Sequence, residues 1–294
     1  MHFSVLIPTY NRPADLLACI DSIAIQSALP AQCVIVDDGA LSESELALLR
    51  DRIGSIRLTY YRKDHSKEQR GQSTSKNIGL TLAAEDIVFI FDDDIVLEQH
   101  FFSSIMEVWG ALDDGRLMGV GGFIANARKR AGAEKLYNSI FLLTSANAWD
   151  VTPVGFQVWD EGMKERQKGY YFNGGLCSVR RSKALSFPFS IFEAGRSALE
   201  EVDFCLRAKN SGYYVYMEPR ARAIHNTSPM SREGVFQFGI KESANRREIF
   251  RTNAPRTIGH LLWFCWSSIG WVLRQFLAGN FRKGAGMLVG LFKT

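Results

Sequence analysis

Apolar runs of strand length alternate with apolar positions at helical spacing through the first third of the chain. Phe3 to Ile7 is a β-type run stopped by Pro8, and Leu16, Leu17, Ile20 and Ile23 then recur at helical spacing, so the pattern predicts a strand followed by a helix over 14–26. Cys33 to Val36 is a second buried run, Glu43 to Ile53 reads as helix, Ile56 to Tyr61 as a third strand and Gly71 to Ala84 as a further helix. Ile87 to Phe91 is apolar at every position, which predicts a strand buried on both faces. Strand and helix in alternation are the signature of an α/β, Rossmann-like fold with a mostly parallel central sheet and helices on both faces.

Two of these strands end in acid: the second in Asp37-Asp38-Gly39 and the fourth in Asp92-Asp93-Asp94. A solvated or tight turn accounts for either alone. Adjacent carboxylates repel one another, however, and a hard cation bound by oxygen relieves that repulsion. Ligands of open α/β sheets sit beyond the carboxyl ends of the strands, so two acidic ends point to a polar, cation-using ligand. There is no GxGxxG and no GxxxxGK[ST], which removes the phosphate-cradling loops of dinucleotide folds and P-loop enzymes. The charge of a phosphorylated ligand would then fall to a metal.

Composition adds less than charge does. The 294 residues, 46% apolar and 22% charged, suit one large α/β domain with or without an appendage. A net charge of +4 hides an asymmetry, since residues 226–294 carry +7 and the rest −3. A basic tail on a slightly acidic body asks for an anionic partner such as lipid, and no motif asks for nucleic acid. Cys19, Cys33, Cys177, Cys205 and Cys265 form no CxxC pair and read as buried thiols in a reducing compartment. The first apolar run is broken by Pro8, Asn11 and Arg12 without a basic n-region, so no signal peptide is expected and the body is expected in the cytoplasm.

Val5-Leu-Ile-Pro-Thr-Tyr-Asn-Arg-Pro13, Ile35-Val-Asp-Asp-Gly39, Gly71-Gln-Ser-Thr-Ser-Lys-Asn-Ile-Gly79 and Phe91-Asp-Asp-Asp94 occur in that order. Asn173-Gly-Gly-Leu176 and the stretch from Glu200-Glu-Val-Asp203 to Tyr213 follow. Together they resemble the family 2 glycosyltransferases of the GT-A fold, over about residues 3–225, and are similar to non-processive bacterial glycan and rhamnosyl-type members. No QxxRW follows, which disfavours the processive synthases. The resemblance implies a GT-A nucleotide-sugar-binding and catalytic domain over 1–225, with 126–200 as its acceptor or lid region, and a helical tail over 226–294.

It also implies roles for particular residues. Pro8, Thr9 and Tyr10 would lie against the base of a nucleoside-diphosphate sugar, with Asp38 accepting from a pyrimidine N–H and Asp37 nearer the ribose, a leaning toward UDP or dTDP. Asp92, Asp93 and Asp94 match the DxD region, where one or two would hold Mn2+ or Mg2+ on the diphosphate. The triplet allows two registers, with Asp94 favoured as ligand and Asp93 next. Lys76 would reach donor phosphate, pair with an acid, or lie on a solvated helix face. His225 would meet metal or phosphate, or be a structural histidine. An inverting transferase needs one base for the acceptor hydroxyl. The family's base falls on Glu201, with Glu200 second, although first-turn carboxylates also suit a helix dipole.

After His225 the pattern changes. Phe236 to Phe250 reads as a helix, Pro255 breaks it, and Ile258 to Leu273 is dense in large apolar residues yet short of the ~20 a spanning helix needs. An interfacial helix at the anionic inner face of the cell membrane is expected there; burial against the body or against a second copy in a homodimer are the alternatives. The expected activity is metal-dependent, inverting transfer of one hexosyl or deoxyhexosyl unit to a glycan or lipid-linked acceptor in cell-surface polysaccharide synthesis. Its competitors are a nucleotidyltransferase and a catalytically inactive carbohydrate-binding or scaffold protein on the same fold.

Overall fold

The computed structural model describes residues 1–128, 132–160, 162–192, 198–227 and 234–293. β1 (Phe3–Thr9) is buried along its length, with Val5 and Ile7 in one apolar layer and Leu6 in the other, the period of two that a central strand requires. Pro13 opens α1 (Pro13–Ala24), a position where its missing N–H costs nothing. β2 (Gln32–Asp37), α2 (Glu43–Ile53), β3 (Arg57–Arg62), α3 (Gln72–Leu82) and β4 (Ile87–Phe91) follow as the pattern predicts. A Ser42–Glu45 capping box starts α2. Gly79 lets α3 press on β1, since a Cβ there would lie 2.0 Å from Leu6 Cδ1.

Beyond β4 the elements vary more in length. They are β5 (Ile95–Leu97), α4 (Phe101–Leu112), β6 (Leu117–Ile124), α5 (Gly132–Ile140), β7 (Asp150–Val151), β8 (Gln157–Val158), β9 (Gln167–Gly169) and β10 (Leu176–Arg180). Then come α6 (Arg181–Ser186), α7 (Glu200–Asn210) and the long β11 (Tyr214–His225). The main sheet runs β3-β2-β1-β4-β10-β6-β11-β5, with β9 also on β11. Its first four strands are mutually parallel, as are β6 and β11, while β10, β5 and β9 run the other way. α1, α2 and α4 cover one face; α3, α6 and α7 cover the other.

This topology gathers a site. β1, β2 and β4 are parallel neighbours, so Thr9, Asp37 and the acidic triplet after Phe91 leave the sheet along one edge. β11 pairs with β5 so that His225 faces Ile95, and the Asn226 N–H donates to the Asp94 carbonyl at 2.9 Å. Residues more than a hundred positions apart are thereby stitched together.

The tail forms α8 (Val235–Asn253), α9 (Ile258–Leu277) and α10 (Phe281–Phe292). α8 returns to the body past residue 225: Asn245 donates to the Ala198 carbonyl at 3.0 Å and Asn253 to Asp203 at 2.9 Å. α10 lies on α8 backbone to backbone, because a Cβ on Gly286 would come 2.1 Å from the Phe236 carbonyl oxygen and one on Gly290 2.2 Å from that of Ile240. α9 seats Phe264 on Phe250 at 4.3 Å between ring centroids and donates from Trp266 Nε1 to the Ile140 carbonyl at 2.8 Å. It spans 20 residues, running on past Arg274 to Leu277, yet no described helix is long and apolar enough to cross a membrane. Four cysteines are buried as expected, but Cys265 is exposed because it faces outward from α9.

Candidate active site

Successive side chains after β4 diverge, and the acidic triplet splits accordingly. Asp93 turns toward the loop after β1, accepting from Thr9 Oγ1 at 2.8 Å and from Arg12 Nη1 at 3.0 Å. Burial pushes its carboxyl up to about 6 despite the Arg12 charge. Asp94 lies 3.0 Å from His225 Nε2, and Asp92 accepts from Gln72 Nε2 at 2.5 Å. Asp92, Asp94 and His225 each place a ligand atom within 4.8 Å of the others. Two carboxylates and an imidazole fit a divalent cation such as Mn2+ or Mg2+, whereas Asp93 belongs to the Thr9–Arg12 contact.

The carboxylates after β2 serve the local backbone. Asp37 is fully buried, accepting from the N–H groups of Gly39 at 2.7 Å and Leu41 at 2.9 Å and from the Tyr60 hydroxyl at 2.7 Å. Asp38 accepts from the Gly71 N–H at 2.7 Å and pairs with Lys63 Nζ at 2.8 Å. These bonds hold the turn and tie the stretch before α3 to β2. Pro8 and Thr9 are buried in β1, while the Tyr10 ring is 39% exposed beside them.

Lys76 is buried, not on a solvated helix face, and its Nζ sits 2.8 Å from Glu200 Oε1. Burial works to lower the ammonium, but Glu200 and Asp92 outweigh it and hold Lys76 above its usual value. Burial likewise works to raise Glu200, yet Lys76 keeps that carboxyl below the ordinary range. For Glu201, burial and the neighbouring Glu200 charge act in the same direction and push it up to about 8. Two adjacent carboxyls with opposed protonation behaviour are the arrangement that acid–base chemistry uses.

A cavity of about 240 Å³ opens on these groups. Gln72, Lys76, Asp92, Glu200 and Glu201 line it together with the loop at 173–175. The glycines of that loop are required by space: a Cβ on Gly174 would come 2.7 Å from Glu201 Cβ, and one on Gly175 2.1 Å from Asp92 Oδ2. Gln157, Phe238 and Glu242 also line it, and Lys283 of α10 holds Glu242 at 2.8 Å. Sequence reasoning passed over these three and also Arg12, Gln72 and Lys63. Arg12 and Gln72 sit inside motifs already noted, so a signal was present; the others acquire their places only through tertiary packing.

Solved structures share this architecture. The mannosyltransferase PcManGT from Pyrobaculum calidifontis, in complex with GDP-Man and Mn2+, matches with a TM-score of 0.58 at 18% identity, covering 99% of this chain and 81% of its own. S. aureus TarS 1–349 in complex with UDP-GlcNAc matches at 0.57 and 15% identity, over 96% and 78%. The fold is thus that of the GT-A glycosyltransferases. Glycosyl transferase family 2 matches residues 4–184 by its sequence profile, and the chain belongs to that family. Among curated relatives, glycosyltransferase GlyG of Streptococcus pneumoniae serotype 4 is 24% identical over 108 residues, 35% of this chain and 34% of that protein. The GalNAc(5)-diNAcBac-PP-undecaprenol beta-1,3-glucosyltransferase of Campylobacter jejuni is 28% identical over 104 residues, 35% and 33%. The matched stretch spans about a third of either relative's length.

Proposed function

We propose that this glycosyltransferase is metal-dependent and inverting, and that it moves one hexosyl or deoxyhexosyl unit from a nucleoside-diphosphate sugar to a glycan or lipid-linked acceptor in cell-surface polysaccharide synthesis. The supporting observation is that Asp92, which converges with Asp94 and His225, also lines the cavity holding Glu201. A divalent cation held by these three residues would supply positive charge where the departing diphosphate develops negative charge. Glu201 takes the proton from the acceptor hydroxyl as it attacks, and its raised affinity for protons suits that role near neutral pH. Lys76 fixes Glu200 beside it and keeps the pair from sharing a proton symmetrically. Tyr10 offers its exposed ring to the base, for which uridine or thymidine is proposed, and α8 supplies the acceptor side of the cavity through Phe238 and Glu242. The basic tail holds the enzyme peripherally at the inner face of the cell membrane. The Campylobacter relative's name records an undecaprenol-linked substrate, which supports a lipid-linked acceptor here.

Thermal unfolding with UDP, dTDP, GDP and CMP, each with and without Mn2+ or Mg2+, tests the reading. A ligand at ~100 times its dissociation constant adds about 2.7 kcal/mol to the native state. One nucleotide should stabilise the protein only with metal present, and Asp94→Asn should abolish that gain. Indifference to every nucleotide with either metal would remove the donor site from this cavity.

A further inference from the structure

We propose that the membrane-facing surface is a composite of α9 and the α5 segment of the catalytic body, and that its partner is an anionic lipid bilayer. The inference rests on the peripheral-membrane reading above and adds to it the residues that make the contact. α9 is apolar on both sides. Phe264 and Val272 face the body, while Ile258, Leu262, Trp266, Ile269, Leu273 and Leu277 are between 40% and 79% exposed. Their spacing of three or four residues draws one stripe along the helix.

α5 and the turn after it run antiparallel beside that stripe. Glu134 pairs with Arg274, the Tyr137 hydroxyl donates to the Gly270 carbonyl at 2.7 Å, and Trp263 Nε1 donates to the Leu142 carbonyl at 3.0 Å. This register sets Leu136, Ile140 and Leu142, each 46–64% exposed, along α9. The two elements thus present one continuous apolar ridge, wider than a single helix and larger than lone surface residues explain.

Charge selects the occupant. From Ala254 to Thr294 the chain carries five Lys/Arg and no Asp/Glu. Arg256, Arg282 and Lys293 are exposed there, and Lys135 is exposed on α5. A second copy would bring like charges together, whereas anionic headgroups neutralise them while the apolar ridge enters the acyl boundary. Since no described helix is fit to span, the contact is interfacial.

Full-length protein is sedimented with phosphatidylcholine vesicles, with and without phosphatidylglycerol, at low and raised salt. The wild type should bind the anionic vesicles and be released by salt. Leu136→Ser/Ile140→Ser on α5 and Ile269→Ser/Leu273→Ser on α9 should each weaken binding by roughly tenfold. Both variants keep the wild-type melting temperature, which separates a lost contact from a lost fold. Binding that survives the α5 pair but not the α9 pair overturns the composite surface and leaves the membrane reading standing. Equal binding to neutral vesicles overturns the anionic partner. A wild type that binds neither vesicle, whether monomeric or dimeric by light scattering, overturns the membrane reading itself; a dimer then assigns the ridge to a second copy.

Discussion

Burial alone would raise both Glu200 and Glu201, and it is Lys76, 2.8 Å from Glu200, that separates them. Removing the Glu201 carboxyl should therefore affect rate and stability in opposite senses. Glu201→Gln should lower turnover by about 10²–10⁴-fold, the usual contribution of a general base. A carboxyl whose native pKa is raised contributes stability at low pH that is lost as pH rises through the native value. Glu201→Gln should consequently melt no lower than wild type at neutral pH and above it in alkaline buffer, as calorimetry across pH would record. Wild-type activity should rise with pH along a limb displaced above the ordinary glutamate range. Lys76→Met has the reverse character. It leaves Glu200 buried without its cation and should cost about 3–5 kcal/mol in denaturant unfolding, much of it recovered by adding Glu200→Gln. Within the triplet, Asp93→Asn should lower the melting temperature yet keep the metal-dependent nucleotide effect, because Asp93 is engaged by Thr9 and Arg12 and lies outside the convergent group.

At the scale of elements, what was legible depended on whether an element carries its own pattern. The strands and helices up to β4 bury whole faces of local sequence, and they lie within a few residues of where the hydrophobic pattern places them. β7 and β8 are two residues long and pair only with each other, and β9, three residues long, pairs with β11 far along the chain, so none of the three is long enough to show a period of its own. The carboxylates at 92–94 and the acid pair at 200–201 were visible as types, but their division of labour was not. That division is set by Thr9, Arg12, His225 and Lys76, none of them next to the acids in the chain. The α8–α10 contact makes its own prediction. Gly290→Leu must push α10 away from the Ile240 carbonyl and should destabilise the protein by about 1–3 kcal/mol in chemical unfolding.

For the molecule as a whole, the tail is part of the packing. Removing residues 255–294 would uncover Phe250 and Phe141, both seated against α9, and would strip Lys283 from Glu242 at the cavity. Such a truncation should melt well below the full chain and aggregate on heating, measured by scanning calorimetry with light scattering. The sequence by itself determined the α/β alternation, the acidic strand ends, the family and the basic, aromatic character of the tail. These are properties of period, residue type and order, which need no knowledge of contacts. Tertiary structure alone decided which aspartates converge, which glutamate is held ionised, and that α8 walls the cavity while α9 joins α5 in an apolar ridge. Each of those outcomes depends on distance, burial and the nearest charge, and a linear chain does not specify them until the sheet has brought its ends together.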